Sequence, residues 1–258
     1  MKKIDPTAKI SEDASIGDDV EIGPYCIIGP HVEIKSGTSV GPYCMIQGPT
    51  VIGSNCKITG YDSIGTPPQD LKYKGEDTRL EIGDQNTIRE FVTMNRGTPH
   101  GGGLTRIGNN NLFMAYCHVA HDCQVGSYVV MGNVATLAGH VQVGDRVIIG
   151  GLSAVHQFTR IGSYAIIGGG SMVNLDIVPY VRASGDRAHL FGINTIGLKR
   201  NGFSDESMKK IARAYKILFK QGRLLKDALT DLEQEFSGVK EVSALIDFIK
   251  SSERGIAR

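Results

Sequence analysis

An aliphatic residue recurs every six positions from Ile10 through Ile16, Ile22, Ile28, Ile34, Val40, Ile46, Ile52 and Ile58 to Ile64. The beat returns at Ile82, Ile88 and Met94. It then runs from Ile107 through Phe113, Val119, Val125, Met131, Leu137, Val143, Ile149, Val155, Ile161 and Ile167 to Val173. An α-helix repeats every 3.6 residues and a half-buried strand every two. A sustained period of six belongs to a hexapeptide solenoid, in which three short strands close one triangular coil of a parallel β-helix. Each marked residue points inward, and stacked coils bury a continuous aliphatic column. Gly follows the marked residue at 23, 29, 41, 53, 65, 83, 108, 126, 132, 144, 150, 162 and 168. This spacing predicts tight corners at which a residue without Cβ supplies the backbone freedom.

Two interruptions predict loops. Between Ile64 and Ile82 the phase holds, but Asp70 and Glu76 fall on marked positions, so the chain leaves the wall near 65–81. Between Met94 and Ile107 the gap is thirteen, and the polar, glycine-rich stretch from Asn95 to Gly103 predicts a second excursion near 95–106. The beat ends after Val173, and Pro179 with Gly185 marks an exit. From about Ser204 the spacing turns helical: Met208, Ile211, Tyr215, Leu218, then Leu225, Ala228, Leu229, Leu232, then Val242, Leu245, Ile246, Ile249. The expected fold is therefore mainly β, with a β-helix over residues 1–190. A helical domain over 191–258 would supply three short helices that cap the open end of the solenoid.

Composition narrows the classes. Of 258 residues, 28 are Lys or Arg and 27 are Asp or Glu, so nothing in the global charge favours nucleic acid or a membrane surface. The five cysteines form no CxxC pair. Cys26 and Cys44 are one coil apart, and all five read as reduced, space-filling thiols of a cytoplasmic protein. There is no N-terminal apolar h-region and no 18-residue apolar run, so neither secretion nor membrane insertion is expected. The first predicted helix concentrates Lys209, Lys210, Arg213, Lys216, Lys220 and Arg223. Such a run is either a solvated face or a docking surface for an acidic protein.

Four histidines, His118, His121, His140 and His156, lie in the repeat wall, and none occupies a marked, inward position. Residues eighteen apart are vertical neighbours at about 4.8 Å, the strand spacing. His121 therefore stacks on Gly139 and Gly139 on Gln157, while Asp122 stacks on His140. An imidazole beside a backbone N–H that no side chain obstructs suits acyl transfer: one group takes a proton and the other holds the oxyanion. No serine stands in a G-x-S-x-G elbow. The economical mechanism is direct attack by a substrate hydroxyl deprotonated by His121.

The stretches His118-Val119-Ala120-His121-Asp122-Cys123, Ala138-Gly139-His140 and Ala154-Val155-His156-Gln157-Phe158 resemble the UDP-N-acetylglucosamine O-acyltransferases. So do Gln69-Asp70-Leu71-Lys72-Tyr73, Gly101-Gly102-Gly103-Leu104-Thr105, Asn194 and Gly197-Leu198-Lys199-Arg200. The resemblance covers nearly the whole chain. It implies a left-handed β-helix and a cytosolic homotrimer with active sites between subunits. It also implies transfer of an R-3-hydroxyacyl group from acyl carrier protein to the sugar 3-hydroxyl, the first step of lipid A synthesis, without a cofactor or metal. Carried over by motif, His121 is the general base, Gly139 the oxyanion donor and Asp122 the carboxylate partner of the base. Adjacent strand residues point to opposite faces unless a corner intervenes, so that last role requires a corner. Gln69, Asp70, Lys72, His118, His140, His156 and Gln157 match the nucleotide-sugar cleft, and Asn194 and Arg200 its uridine and phosphate end. The basic helix matches the carrier-protein face. Asn95 and Asn201 depart from the family pattern, which has histidine and a second arginine there in many members. The small residues Gly168-Gly169-Gly170 imply a longer acyl groove.

Four other readings compete. A relative acting on a 3-amino sugar would form an amide. A zinc hydratase of the γ-carbonic-anhydrase kind also sets histidines on neighbouring coils, but it needs three imidazoles converging on one ion, and His118 and His121, three apart in one strand, diverge. A purely structural solenoid would need neither glycine beneath histidine nor ordered excursions. The related N-acyltransferase with an extra N-terminal domain fits poorly, because repeats begin at residue 10.

Overall fold

The computed structural model describes residues 2–258, and the period of six is its architecture. Strands of mostly two residues form three parallel sheets, one per face of a triangular, left-handed prism. On the first face Ile22, Val40, Ile58, Ile88, Phe113, Met131, Ile149 and Ile167 pair in succession. On the second face the column runs from Ile10 to Val173, and on the third from Ile16 to Ile161. From Ile22 to Val173 every marked residue is buried. Positions two before each marked residue are buried as well, and all five cysteines sit there as free thiols, filling space between columns.

The corners correct the expectation about glycine. The residue that turns each corner lies three after the marked one, and it is rarely glycine. Tyr25, Tyr43, Tyr61, Phe91 and Tyr116 all take left-handed φ near 60° at the corner between the first and second faces. The glycine directly after the marked residue has another cause. A Cβ on Gly41 would lie 1.8 Å from the Thr59 carbonyl oxygen, and one on Gly53 would lie 2.4 Å from the Gly83 backbone. Coils stack too closely there for any side chain. Among the thirteen, only Gly65 has a positive φ.

Both excursions leave at the second corner, between the second and third faces. Ile34 pairs with Ile52 eighteen residues on, but Ile52 pairs with Ile82, thirty on. Twelve residues, two whole hexapeptides, leave the wall, which is why the phase survives. Ile82 pairs with Ile107, twenty-five on, so the next coil expels seven. Flanking strands extend further than the spacing predicts: Ser63–Thr66 and Arg79–Ile82 bound the first loop, Thr93–Asn95 and Leu104–Ile107 the second.

Beyond Val173, Val181–Ser184 and His189–Ile193 form an antiparallel pair that straddles residue 190 and continues the first face. Four helices follow: α1 (Thr195–Arg200), α2 (Asp205–Phe219), α3 (Leu225–Glu235) and α4 (Lys240–Lys250). The last three are those that the hydrophobic spacing predicts. Short α1 has too little periodicity to be read in advance. Ala214, Tyr215 and Leu218 of α2 pack with Ala228 and Leu232 of α3 and Leu245 and Ile249 of α4, in one core continuous with the last coils.

Candidate active site

The candidate residues gather at the second corner. Once the excursions have left it, the next residues to turn it are Asp122 (φ 61°), His140 (φ 63°) and Phe158 (φ 62°), one per coil. His121 immediately precedes the first of these turns. Because a corner intervenes, the side chains of two adjacent residues meet: His121 Nδ1 lies 2.8 Å from Asp122 Oδ2. The Asp122 carboxylate also accepts the Thr98 N–H at 2.8 Å and the Thr98 hydroxyl at 2.6 Å, and its own N–H donates to Thr105 Oγ1. The second excursion thus folds over the carboxylate and leaves its side chain 1% exposed, against 16% for His121. A Cβ on Gly101 would lie 2.0–2.3 Å from the carboxylate atoms, so only glycine lets the excursion close this tightly. Burial opposes ionisation of Asp122, but the hydrogen bonds from His121 and Thr98 outweigh it and hold the carboxyl below its ordinary range.

With the carboxylate accepting the Nδ1–H of His121, Nε2 is left as the free acceptor of the ring. Nε2 faces Gly139 on the next coil: a Cβ there would lie 2.8 Å from Nε2 and 2.5 Å from Cε1. Their register is fixed by the backbone, since the His140 N–H donates to the His121 carbonyl. The Gly139 N–H donates to no acceptor among the described residues. A proton acceptor and an unused backbone donor therefore sit on adjoining coils with no side chain between them.

His140 lies edge-on to His121, with ring centroids 5.1 Å apart, and stacks on Phe158 at 4.3 Å. His118 points outward from the second face, half-buried, its Nδ1 2.7 Å from Thr93 Oγ1. Burial lowers the pKa of both His118 and His140, which favours their neutral forms. His156 and Gln157 are exposed on the following coil. In the first excursion Gln69, Leu71 and Lys72 are exposed, while Asp70 Oδ1 accepts the Lys72 N–H and Oδ2 lies 3.7 Å from His100 Nε2. The two excursions approach each other through this pair.

His121, Asp122 and His140 place possible metal-ligand atoms within 4.8 Å of one another. The 2.8 Å contact between Nδ1 and the carboxylate is at hydrogen-bond distance, and His118 is turned to Thr93 instead. The donor set suits proton transfer better than three converging imidazoles.

Asn194 and Arg200 lie elsewhere. Asn194 caps α1, accepting the Gly197 N–H and donating to the Tyr164 carbonyl beside the third corner. Arg200 ends the same helix, exposed. Asn201 next to it accepts a 2.7 Å hydrogen bond from Arg146, which turns the third corner. Within one chain these residues occupy a different edge of the prism from His121. Asn95 is not a cleft contact: it is buried and its Nδ2 donates to Thr66 and Pro67 at the root of the first excursion. Beside it Arg96 donates to the Gly48 and Gly65 carbonyls and to the Tyr73 hydroxyl, tying the two excursions together.

Half of the basic patch is answered within the chain. Lys210 pairs with Glu206, Arg213 with Glu235 and Arg223 with Asp231, and the Lys220 ammonium lies over the Tyr215 ring. Lys209 and Lys216 make no ion pair among the described residues. Thr98, Thr105, Arg96 and Phe158 are the residues that spacing did not single out. Their signal in the sequence is position: Arg96 and Thr98 lie in the second excursion and Thr105 on the strand that follows it, one coil before Asp122.

Comparison with known proteins places the chain among characterised relatives by sequence and by fold. A family model described as "Udp N-acetylglucosamine O-acyltransferase; Domain 2" matches residues 176–257, and the bacterial transferase hexapeptide repeat matches 2–36 and 104–139. Over the full length of both chains, the sequence is 52% identical to acyl-[acyl-carrier-protein]–UDP-N-acetylglucosamine O-acyltransferase of Thermodesulfovibrio yellowstonii. It is 49% identical to that of Alkalilimnicola ehrlichii, again over both full lengths. The crystal structure of UDP-N-acetylglucosamine O-acyltransferase from Moraxella catarrhalis superposes with a TM-score of 0.97 at 45% identity, covering 99% of each chain. The corresponding structure from Acinetobacter baumannii gives 0.96 at 47%, also covering 99% of each.

Proposed function

Because the chain belongs to the UDP-N-acetylglucosamine O-acyltransferases, we propose that His121 is the general base of its acyl transfer and the Gly139 N–H the oxyanion donor. The enzyme moves an acyl group from acyl carrier protein to UDP-N-acetylglucosamine. Nε2 of His121 takes the proton of the sugar 3-hydroxyl as its oxygen attacks the thioester carbonyl of an R-3-hydroxyacyl donor. The tetrahedral oxyanion then accepts the unused Gly139 N–H. Collapse expels the carrier thiolate, which recovers the proton from Nε2. Asp122 fixes the tautomer and steadies the imidazolium while it exists. The observation that carries this reading is the free Nε2 lying against Gly139, whose N–H has no acceptor among the described residues. Incubating the protein with a mixed pool of acyl carriers and both sugars, the 3-hydroxyl and the 3-amino form, tests it. Mass spectrometry should find the ester, and accumulation of amide alone would overturn the acceptor assignment.

Site completeness favours a homotrimer. The first corner presents Tyr25, Tyr43, Tyr61, Phe91, Tyr116, Val134 and Leu152 as a continuous apolar ribbon, its aromatic rings stacked 4.8–5.3 Å apart. Exposed ribbons of this length mark association surfaces. With this edge on a threefold axis, the second face of one copy meets the first face of the next, where Leu112, Val130, Ile148 and Ile166 point outward. The second corner of one copy then approaches the third corner of its neighbour, bringing His121 toward Asn194 and Arg200 of that copy. Replacing Phe91 and Tyr116 by aspartate should convert trimer to monomer in sedimentation velocity and abolish transfer. An undiminished trimer would sink the axis assignment.

The basic face is the proposed site for the acidic carrier protein, with Lys209 and Lys216 as its uncommitted charges. Reversing both to glutamate should raise the KM for acyl carrier protein about tenfold, equivalent to ~1.4 kcal/mol, with kcat at saturation kept, because exposed complementary charge acts mainly on encounter. An unchanged KM would return these lysines to an ordinary solvated face.

A further inference from the structure

The tail after α4 returns to the prism and is sewn to its last coils. Asp176 exchanges backbone hydrogen bonds with Gly255 and Ala257, its Oδ2 accepts the Ser252 hydroxyl, and its Oδ1 accepts the Arg160 N–H. The Arg160 guanidinium lies over the Phe248 ring and donates to Ser251. This seam fixes Arg254, whose Nε donates to the Asn174 carbonyl at 2.8 Å and whose Nη2 lies 2.8 Å from His156 Nδ1. A guanidinium has donors only. Nδ1 of His156 also lies 3.1 Å from the Gln157 carbonyl oxygen, but the shorter, charge-assisted contact with the guanidinium makes Nδ1 the acceptor and leaves the ring proton on Nε2. Arg254 borders a cavity of about 720 Å³ that also takes in Asp122, His140 and Phe158, so the tail lines the space beside the second corner.

We propose that Arg254 is a positioning residue that holds His156 as its Nε2–H tautomer, so that the ring presents a hydrogen-bond donor to the bound nucleotide sugar. The inference rests on the reading of His156 as a cleft residue. The clamp selects between two neutral forms that are close in energy in water, and it does so with a residue from the far end of the chain. Without it His156 would sample both tautomers, and in one of them its free nitrogen would accept rather than donate.

Two measurements on the full-length protein test the clamp separately from the cleft reading. Long-range ¹⁵N–¹H correlation of ¹⁵N-histidine-labelled protein should show His156 in the Nε2–H form and a tautomer mixture in Arg254→Met. A Nδ1–H signal in the unaltered protein would overturn the clamp without any variant. In steady-state kinetics Arg254→Met should raise the KM for the UDP-sugar about tenfold, the worth of one charge-assisted hydrogen bond, with kcat within about twofold. Arg254→Lys keeps a donor and should recover most of the loss, whereas a merely structural role would not distinguish lysine from methionine by tautomer. In a His156→Ala background Arg254→Met should cost nothing further, and an undiminished effect there would overturn the proposal. If His156→Ala alone left KM untouched while the tautomer signals behaved as expected, the cleft role of His156 would fall and the clamp would stand.

Discussion

Substituting His121 by alanine should abolish acyl transfer while leaving assembly and melting temperature nearly unchanged. A positioned base contributes roughly 10²–10⁴-fold, and here nothing else is placed to replace it. His140 is turned edge-on and stacked on Phe158, and His118 is engaged with Thr93. The fold should tolerate the change because the ring lies outside the aliphatic columns, over a glycine. Asp122→Asn is the companion. It keeps the shape of the buried carboxylate but not its charge, so it should lower kcat by acting on the Nδ1 proton. It should also destabilise the protein, because Thr98 then loses a charged acceptor in a site that water does not reach. Single-turnover assays with saturating sugar and acyl carrier read the chemical step directly. Unimpaired turnover by the alanine variant would end the base assignment.

Gly139→Ala should be nearly as damaging, although it removes no functional group. Its Cβ would stand 2.5 Å from Cε1 and 2.8 Å from Nε2 of His121, closer than any real contact, so the ring must swing away from the reacting oxygen. A displacement of about 1 Å at a catalytic group can cost 10²-fold, and kcat is expected to fall by about that much or more. The cost to stability should be about 1–3 kcal/mol, that of overpacking a single site. Gly139 does not occupy the left-handed region, so an alanine backbone is unstrained there. The variant thus separates crowding of the imidazole from backbone effects. A wild-type kcat would mean that the ring does not rest over this amide during catalysis.

Vertical neighbours could be read from spacing because the hydrogen-bond ladder enforces them: eighteen residues make one coil, and Gly139 lies against His121 for that reason. Spacing also located both excursions, since expelled residues break the beat. It misassigned the glycines, because crowding between coils and turning at corners leave the same six-residue trace. It could not see that Asp122 turns a corner and so meets the side chain of its own neighbour. Nor could it see that Thr98, on a loop outside the repeat, covers the carboxylate. The positive charge of α2 was legible, but its partial neutralisation by Glu235 and Asp231 of α3 was not.

The period of six alone determined the prism, its three buried columns and the pairing of His121 with Gly139, because each depends only on distance along a repeating ladder. The tertiary structure alone decided which carboxylate is buried, which charges remain free, and that Asn194 and Arg200 stand on another edge from His121. Those outcomes depend on twelve- and seven-residue insertions and on helix packing, where contacts join residues that no fixed spacing relates.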